Sequence, residues 1–156
     1  MTMSPYDHHV GEADAVAILH ENYEVLRPLA RAWNDATLAE PYAPGKWTHG
    51  RILVHLAQCE IVFASRLRFG LAHEAYTVQP FDQDAWMEVE PGDGRLALDA
   101  YETLRPLNLA LCRALTPAQR AKRVVHPQFG DINVEWILRM FAGHERHHLR
   151  LLGWQG

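Results

Sequence analysis

The chain has 156 residues, a formal net charge of −4 and a hydrophobic fraction of 48%, which suits one domain with a buried core. Mild acidity without a basic cluster argues against nucleic-acid binding, and no apolar run approaches the ~18 residues of a membrane span. Cys59 and Cys112 are too few for a disulfide scaffold, and the start, Met1 to Asp7, lacks the basic and apolar regions of a signal peptide, so a reducing cytoplasm is the expected setting.

Residues 1–11 read as a flexible leader, and 12–156 as a single domain. From Glu12, apolar residues recur at steps of three and four (Val16, Leu19, Tyr23, Leu26, Ala30, Trp33), the stripe of a first helix that Pro28 should kink or end. A turn at Pro41–Gly45 follows. Thr48 is a candidate N-cap for a second helix over 49–69, with Ile52, Leu56, Cys59, Phe63 and Leu67 on one face and Gly70 as its stop. Residues 71–94 form a long irregular connection holding one short helical turn near Phe81–Trp86.

The third helix is expected from Arg95 to Ala114, again carrying a proline, Pro106. Thr116-Pro117 reads as the cap and first residue of a short helix, and 123–130 as loop. The last helix starts at Asp131 or Asn133 and ends at Leu152, before Gly153. No segment alternates like a strand. Four long helices with a long connection between the second and third read as an all-α four-helix bundle. Tyr23–Leu29 and Tyr101–Leu107 agree at six of seven positions, which either marks a duplicated helical hairpin or is coincidence.

Ten histidines stand against two lysines. In the last helix, His144 and His148 are one turn apart on the stripe that also carries Ile137, Phe141 and Leu152. Buried imidazoles must be hydrogen-bonded or metal-bound, since an unpaired buried polar group costs roughly 1–3 kcal/mol. Both readings of the pair stand at this point. His55 lies at the rim of the second helix's stripe. If the second and last helices are neighbours, three neutral imidazoles converge and leave an open position, the pattern of a catalytic metal site. His147 could replace His148, but leans off the stripe. His144-Glu145-Arg146-His147-His148 is also a literal H-E-x-x-H, whose glutamate serves as general base in zinc proteases. Too little chain follows it for a downstream third ligand, so Glu145 reads as a carboxylate that is solvated or orients a ligand histidine. Cys59, one turn beyond His55, is either near the site or a core thiol. His126 either covers the site or caps its loop. Phe81 and Trp86 form a lid or pack on the bundle. His8, His9, His20, His49 and His73 have no ligand spacing.

Lys46-Trp47-Thr48, His55-Leu56, Phe81 to Trp86, His126 to Gly130 and Gly143 to Leu149 resemble the DinB/YfiT-like superfamily over about residues 12–152. The resemblance implies an up-down-down-up four-helix bundle with a divalent metal held by His55, His144 and His148. Zinc suits three imidazoles, and nickel, iron or manganese could take the same set. It also implies an enzyme acting on a small-molecule substrate, either a hydrolase or an S-transferase using a low-molecular-weight thiol. The alternatives are a non-catalytic metal-binding stress-response protein and a metal-free bundle. No nucleic-acid or membrane partner is expected, and a homodimer only if packing leaves apolar helix faces exposed.

Overall fold

The computed structural model describes residues 3–156. Met1 and Thr2, the start of the expected leader, lie outside the described residues. The elements are α1 (Asp7–Val10), α2 (Ala15–Arg31), α3 (Asp35–Ala39), α4 (His49–Ala72), α5 (Gln83–Val89), α6 (Gly94–Arg113), α7 (Pro117–Arg120), β1 (Arg123–His126), β2 (Gly130–Asn133) and α8 (Val134–Leu151). Each long helix begins where a side chain takes up a free amide of its first turn. Asp14 accepts from Ala17 N, Thr48 from Arg51 N, Asp93 from Leu96 N and Asn133 from Trp136 N.

Cross-helix bonds fix the directions. Asn22 donates to the Ala142 carbonyl, and Arg120 joins Asp14 to Glu135, so α2 and α8 run parallel. Gly94 meets Gly50, and Arg105 donates to Glu60, so α4 and α6 also run parallel. Phe63 packs on Phe141 while His55 faces His144, which makes α4 antiparallel to α8. Arg31 bonds Asp99 and Glu102 while Arg105 reaches the Leu19 carbonyl, so α2 and α6 are antiparallel. The result is an up-down-down-up four-helix bundle. The long connection between α4 and α6 is what allows two consecutive helices to point the same way.

The core is divided by a polar waist. On one side lie Val16, Leu19, Phe63, Leu67, Leu109 and Ile137, and on the other Leu26, Ile52, Leu56, Leu98 and Leu149. Between them Arg105 is only 3% exposed. It donates to Glu60 Oε2 at 3.0 and 2.7 Å, to both oxygens of Glu145 at 2.8 Å, and to the Leu19 carbonyl at 3.0 Å. Asn108 donates to Glu60 Oε1 and Tyr101 to Glu145 Oε1. Burial works against the charge of Arg105, but Glu145, Tyr101 and Glu60 outweigh it and hold its pKa well above the ordinary arginine value.

Four expectations change. The segment read as a flexible leader forms α1 against α8, with Ser4 and Val10 buried. Gly70 does not stop α4, which runs to Ala72. A Cβ at Gly70 would come within 3.1 Å of Val124, so this glycine serves close packing. Pro28 and Pro106 sit inside continuous helices. Both face solvent, where the carbonyl that loses its amide partner is hydrated. The 123–133 stretch is a β-hairpin rather than a loop, with Val124 opposite Ile132 and a left-handed Gly130. Val78 N donates to the Val125 carbonyl and Val125 N to that of Tyr76, tying the α4–α5 connection to the hairpin over one end of the bundle.

The repeated heptapeptide does not turn equivalent faces inward. Asn22, Leu26 and Ala30 are buried in α2, whereas Tyr101, Arg105 and Leu109 are buried in α6. That is a shift of one residue, about 100° around the helix. Arg27 is left exposed over Tyr23 while Arg105 is central.

Candidate metal centre

His55 points from α4, and His144 and His148 from α8, where the two helices cross antiparallel. The Nε2 atom of His144 lies 3.2 Å from that of His55 and 3.1 Å from that of His148. Burial pushes all three imidazoles toward the neutral form. The pKa of His55 falls to about 4 although Asp84 opposes the shift, and that of His144 falls to about 3, with His55 and His147 adding to burial. His148 is pushed well below the usual value by burial, then by His144, His55 and His147.

Hydrogen bonds alone do not satisfy this cluster. A neutral imidazole nitrogen either carries a proton or offers one lone pair. His144 Nε2 therefore makes one good bond to its two neighbours, not two. One cation receiving three lone pairs satisfies all three. Two nitrogens each about 2.0–2.1 Å from a shared zinc stand about 2.9–3.4 Å apart in adjacent positions, which brackets both separations observed. His55, His144 and His148 are also the one group of metal-type ligands that converges among the described residues. The donor set fits a divalent metal.

Aromatic rings hold the histidines in place. Phe81 stacks on His55 with ring centroids 6.2 Å apart, Trp47 packs against His55 at 5.2 Å, and Tyr6 meets His144 edge-on at 5.1 Å. A cavity of about 370 Å³ opens beside His55 and His144, walled by Phe81, Phe129 and Phe141. His148 lies on the far side, in a second depression lined by Tyr42, Trp47 and His147.

The other candidates divide clearly. Cys59 lines the cavity, with Sγ 3.5 Å from His55 Nε2; burial, then Glu145 and Glu60, push its pKa up, so it is a protonated thiol. His126 lines the same cavity, its Nδ1 accepting from Gln128 N, and burial followed by Arg66 lowers its pKa. Phe81 is part of the cavity wall, while Trp86 packs edge-on against its outer side at 5.1 Å. His147 packs against Tyr6, His9 and the ring of His148, but its nitrogens are not among those that converge. Cys112 is a core thiol. Glu145 corrects its expectation: it is neither solvated nor bonded to a ligand histidine. Its oxygens are held by Arg105 and Tyr101, so the H-E-x-x-H string is not a zinc-protease site.

Sequence reasoning missed Tyr6, Arg66 and the Glu60–Arg105–Glu145 network. One signal for Tyr6 was present. Gly143, mid-helix beside His144, has no place for a Cβ because the Tyr6 backbone lies against it.

The DinB superfamily model matches residues 18–152. The Bacillus subtilis protein named "Putative metal-dependent hydrolase YfiT" is 28% identical over 152 residues, covering 89% of this chain and 84% of that one. A protein of Oceanobacillus iheyensis bearing the same description is 30% identical over 119 residues, 74% of this chain and 68% of the relative. The solved YfiT structure, described as having an unusual four-helix bundle topology, superposes with a TM-score of 0.80 at 27% identity over 88% of this chain and 81% of that one. TT2238, a four-helix bundle protein, shares the fold at a TM-score of 0.55 and 22% identity over 87% of this chain and 95% of that one. The chain belongs to the DinB superfamily.

Proposed function

We propose that the protein is a metal-dependent hydrolase acting on a small molecule, with His55, His144 and His148 as the ligands of one divalent cation. The observation that carries this reading is the convergence of three imidazoles, two of which, His55 and His144, border an open, largely aromatic cavity. Three protein ligands leave room for substrate, whereas structural sites use four. When bound, such a cation supplies Lewis-acid chemistry, polarising a carbonyl and lowering the pKa of a water or thiol ligand. The protein's own share is positional. Phe81, Trp47 and Tyr6 fix the ring planes, burial keeps the imidazoles unprotonated, and the aromatic walls bind the apolar part of a substrate away from water. Zinc is the metal that best suits three imidazoles. Several relatives carry the hydrolase description, which supports hydrolysis over transfer to a low-molecular-weight thiol. The site resembles a chemical centre rather than a metal store because its open side leads into a cavity.

The test is metal analysis of protein purified without immobilised nickel, followed by turnover on ester and amide panels with and without added thiol. Wild type is expected to hold about one metal per chain, and His55→Ala and His144→Ala less than about a tenth of that. Turnover that needs thiol would replace hydrolysis with S-transfer. Metal without turnover on any panel would leave a binding protein.

A further inference from the structure

The cavity beside the histidines holds one permanent cation, Arg66. It is 8% exposed, yet no carboxylate pairs with it among the described residues. Every other buried arginine charge in this chain is answered: Arg105 sits between two glutamates. Arg66 has only a bond from a terminal nitrogen to the Gln79 carbonyl at 2.9 Å, and its Nε is buried with no partner. A buried unpaired charge is costly and persists where something else has selected it. Burial holds the Arg66 pKa below the ordinary arginine value, with Tyr76 and Cys59 opposing.

Position supports a ligand role. His55 and Arg66 are eleven residues apart on α4, about three helical turns, so they share a face about 16 Å apart along the axis. Both side chains line the same cavity. Cys59 lies between them on the same face, and Arg66 is near enough to His126 to lower its pKa. Arg66, Pro80 and Phe81 also wall a third depression, lined by Phe69 and Trp86.

We propose that Arg66 is the anchor for a carboxylate on the substrate, and that the substrate is a small organic monoanion with an apolar body. Its carboxylate pairs with Arg66, its body lies along Phe81, Phe129 and Phe141, and its reacting group reaches the histidines. A single guanidinium matches a single carboxylate in charge and in planar two-oxygen geometry. A phosphate dianion would call for a second permanent cation, and the cavity lining has none. This inference rests on the hydrolase reading for what happens at the far end, but not for the anion site itself.

The test uses the full chain and a length series of probes: benzoate, 3-phenylpropionate and 4-phenylbutyrate, each beside its neutral amide, with inorganic phosphate as a further arm. Binding is followed by thermal shift and calorimetry on the protein as purified, on chelator-stripped protein and on His144→Ala. The carboxylates are expected to bind all three forms, and Arg66→Gln to bind them at least about tenfold more weakly. The amides are expected not to protect. Arg66→Met is expected to raise the melting midpoint of the free protein, because it removes an unpaired buried charge; a purely structural arginine would lower it. Equal carboxylate binding by Arg66→Gln overturns the inference, as does protection by the amides or stronger protection by phosphate. Carboxylate binding that disappears with the metal and ignores Arg66 also overturns it. Failure of the hydrolase reading looks different: no metal in wild type, with Arg66-dependent binding intact.

Discussion

Two polar clusters lie between the helices of this bundle, both drawing on α4 and α8, the first also on α6. In the first, Arg105 lies between Glu60 and Glu145, Asn108 donates to the remaining Glu60 oxygen, and Tyr101 adds a second bond to Glu145 Oε1. Every strong donor has an acceptor, and the one guanidinium is shared by both carboxylates. In the second, His55, His144 and His148 aim three lone-pair nitrogens at one point, with no hydrogen-bond arrangement that uses them all. His148 Nδ1 is buried without a partner as well. Opposite satisfaction of their polar atoms separates the roles. The first cluster is complete within the chain and specifies how the helices meet. The second is completed only from outside.

The largest expected effect tests the first half of this contrast. Arg105→Met leaves two glutamates facing each other in the core and should lower stability by about 3–5 kcal/mol, read by urea unfolding. The triple variant Arg105→Met, Glu60→Leu, Glu145→Leu should recover much of that loss, since buried ion pairs can often be replaced by well-packed apolar groups. If Arg105→Met proved as stable as wild type, the network would not be the structural element described here.

Metal removal tests the other half. A ligand present at about 100 times its Kd stabilises by about 2.7 kcal/mol. Chelation should therefore lower the unfolding midpoint of wild type, and should leave His144→Ala unmoved. A chelator effect that survives His144→Ala would place the metal elsewhere.

The contrast also explains what was legible in the sequence. The convergence of the three histidines could be anticipated because two of them on one helix keep i,i+4 spacing and the third stands on an amphipathic stripe. These are local patterns that survive without coordinates. The four long helices and most of their boundaries followed from caps and periodicity for the same reason. Arg105 was not legible. Its heptapeptide is nearly identical to that around Arg27, and only the rotation of α6 against its neighbours sends one arginine inward and leaves the other in solvent. Glu145 was misread because adjacency to His144 in sequence puts it about 100° away on the helix, facing α6 instead of the cavity. The hairpin escaped because two four-residue strands carry too little alternation to register. Tyr6 reaches the site only through tertiary docking of α1 on Gly143.

The next expectation concerns pH and the metal-free protein. The folded triad takes up protons only near pH 4 at His55 and near pH 3 at His144, while the unfolded chain takes them up around pH 6.5. Between these limits the unfolded state binds more protons, so stability falls as pH falls. Above about pH 6.5 both states are neutral at these positions and their contribution is flat. The midpoint of metal-free wild type should drop by a few degrees between pH 6.5 and 4.5, and the drop should be shallower in His144→Ala. Parallel profiles in the two proteins would show that the imidazoles are not held neutral by the fold.

The smallest effect is the sharpest check on which histidines matter. His147 neighbours His148 in sequence and stands three residues from His144, so spacing alone admits it as a ligand. In the fold it turns toward Tyr6 and His9, with ring centroids 5.6 Å from each, and its Nε2 is not among the converging nitrogens. His147→Ala should keep the wild-type metal content and lose only a packing contact with α1, whereas His148→Ala should lose the metal. Metal analysis of the two variants side by side decides the matter. If loss of His147 empties the site and loss of His148 does not, α8 presents a different pair of nitrogens from the one assigned here, and the far-side depression rather than the aromatic cavity becomes the place where the ligand set opens.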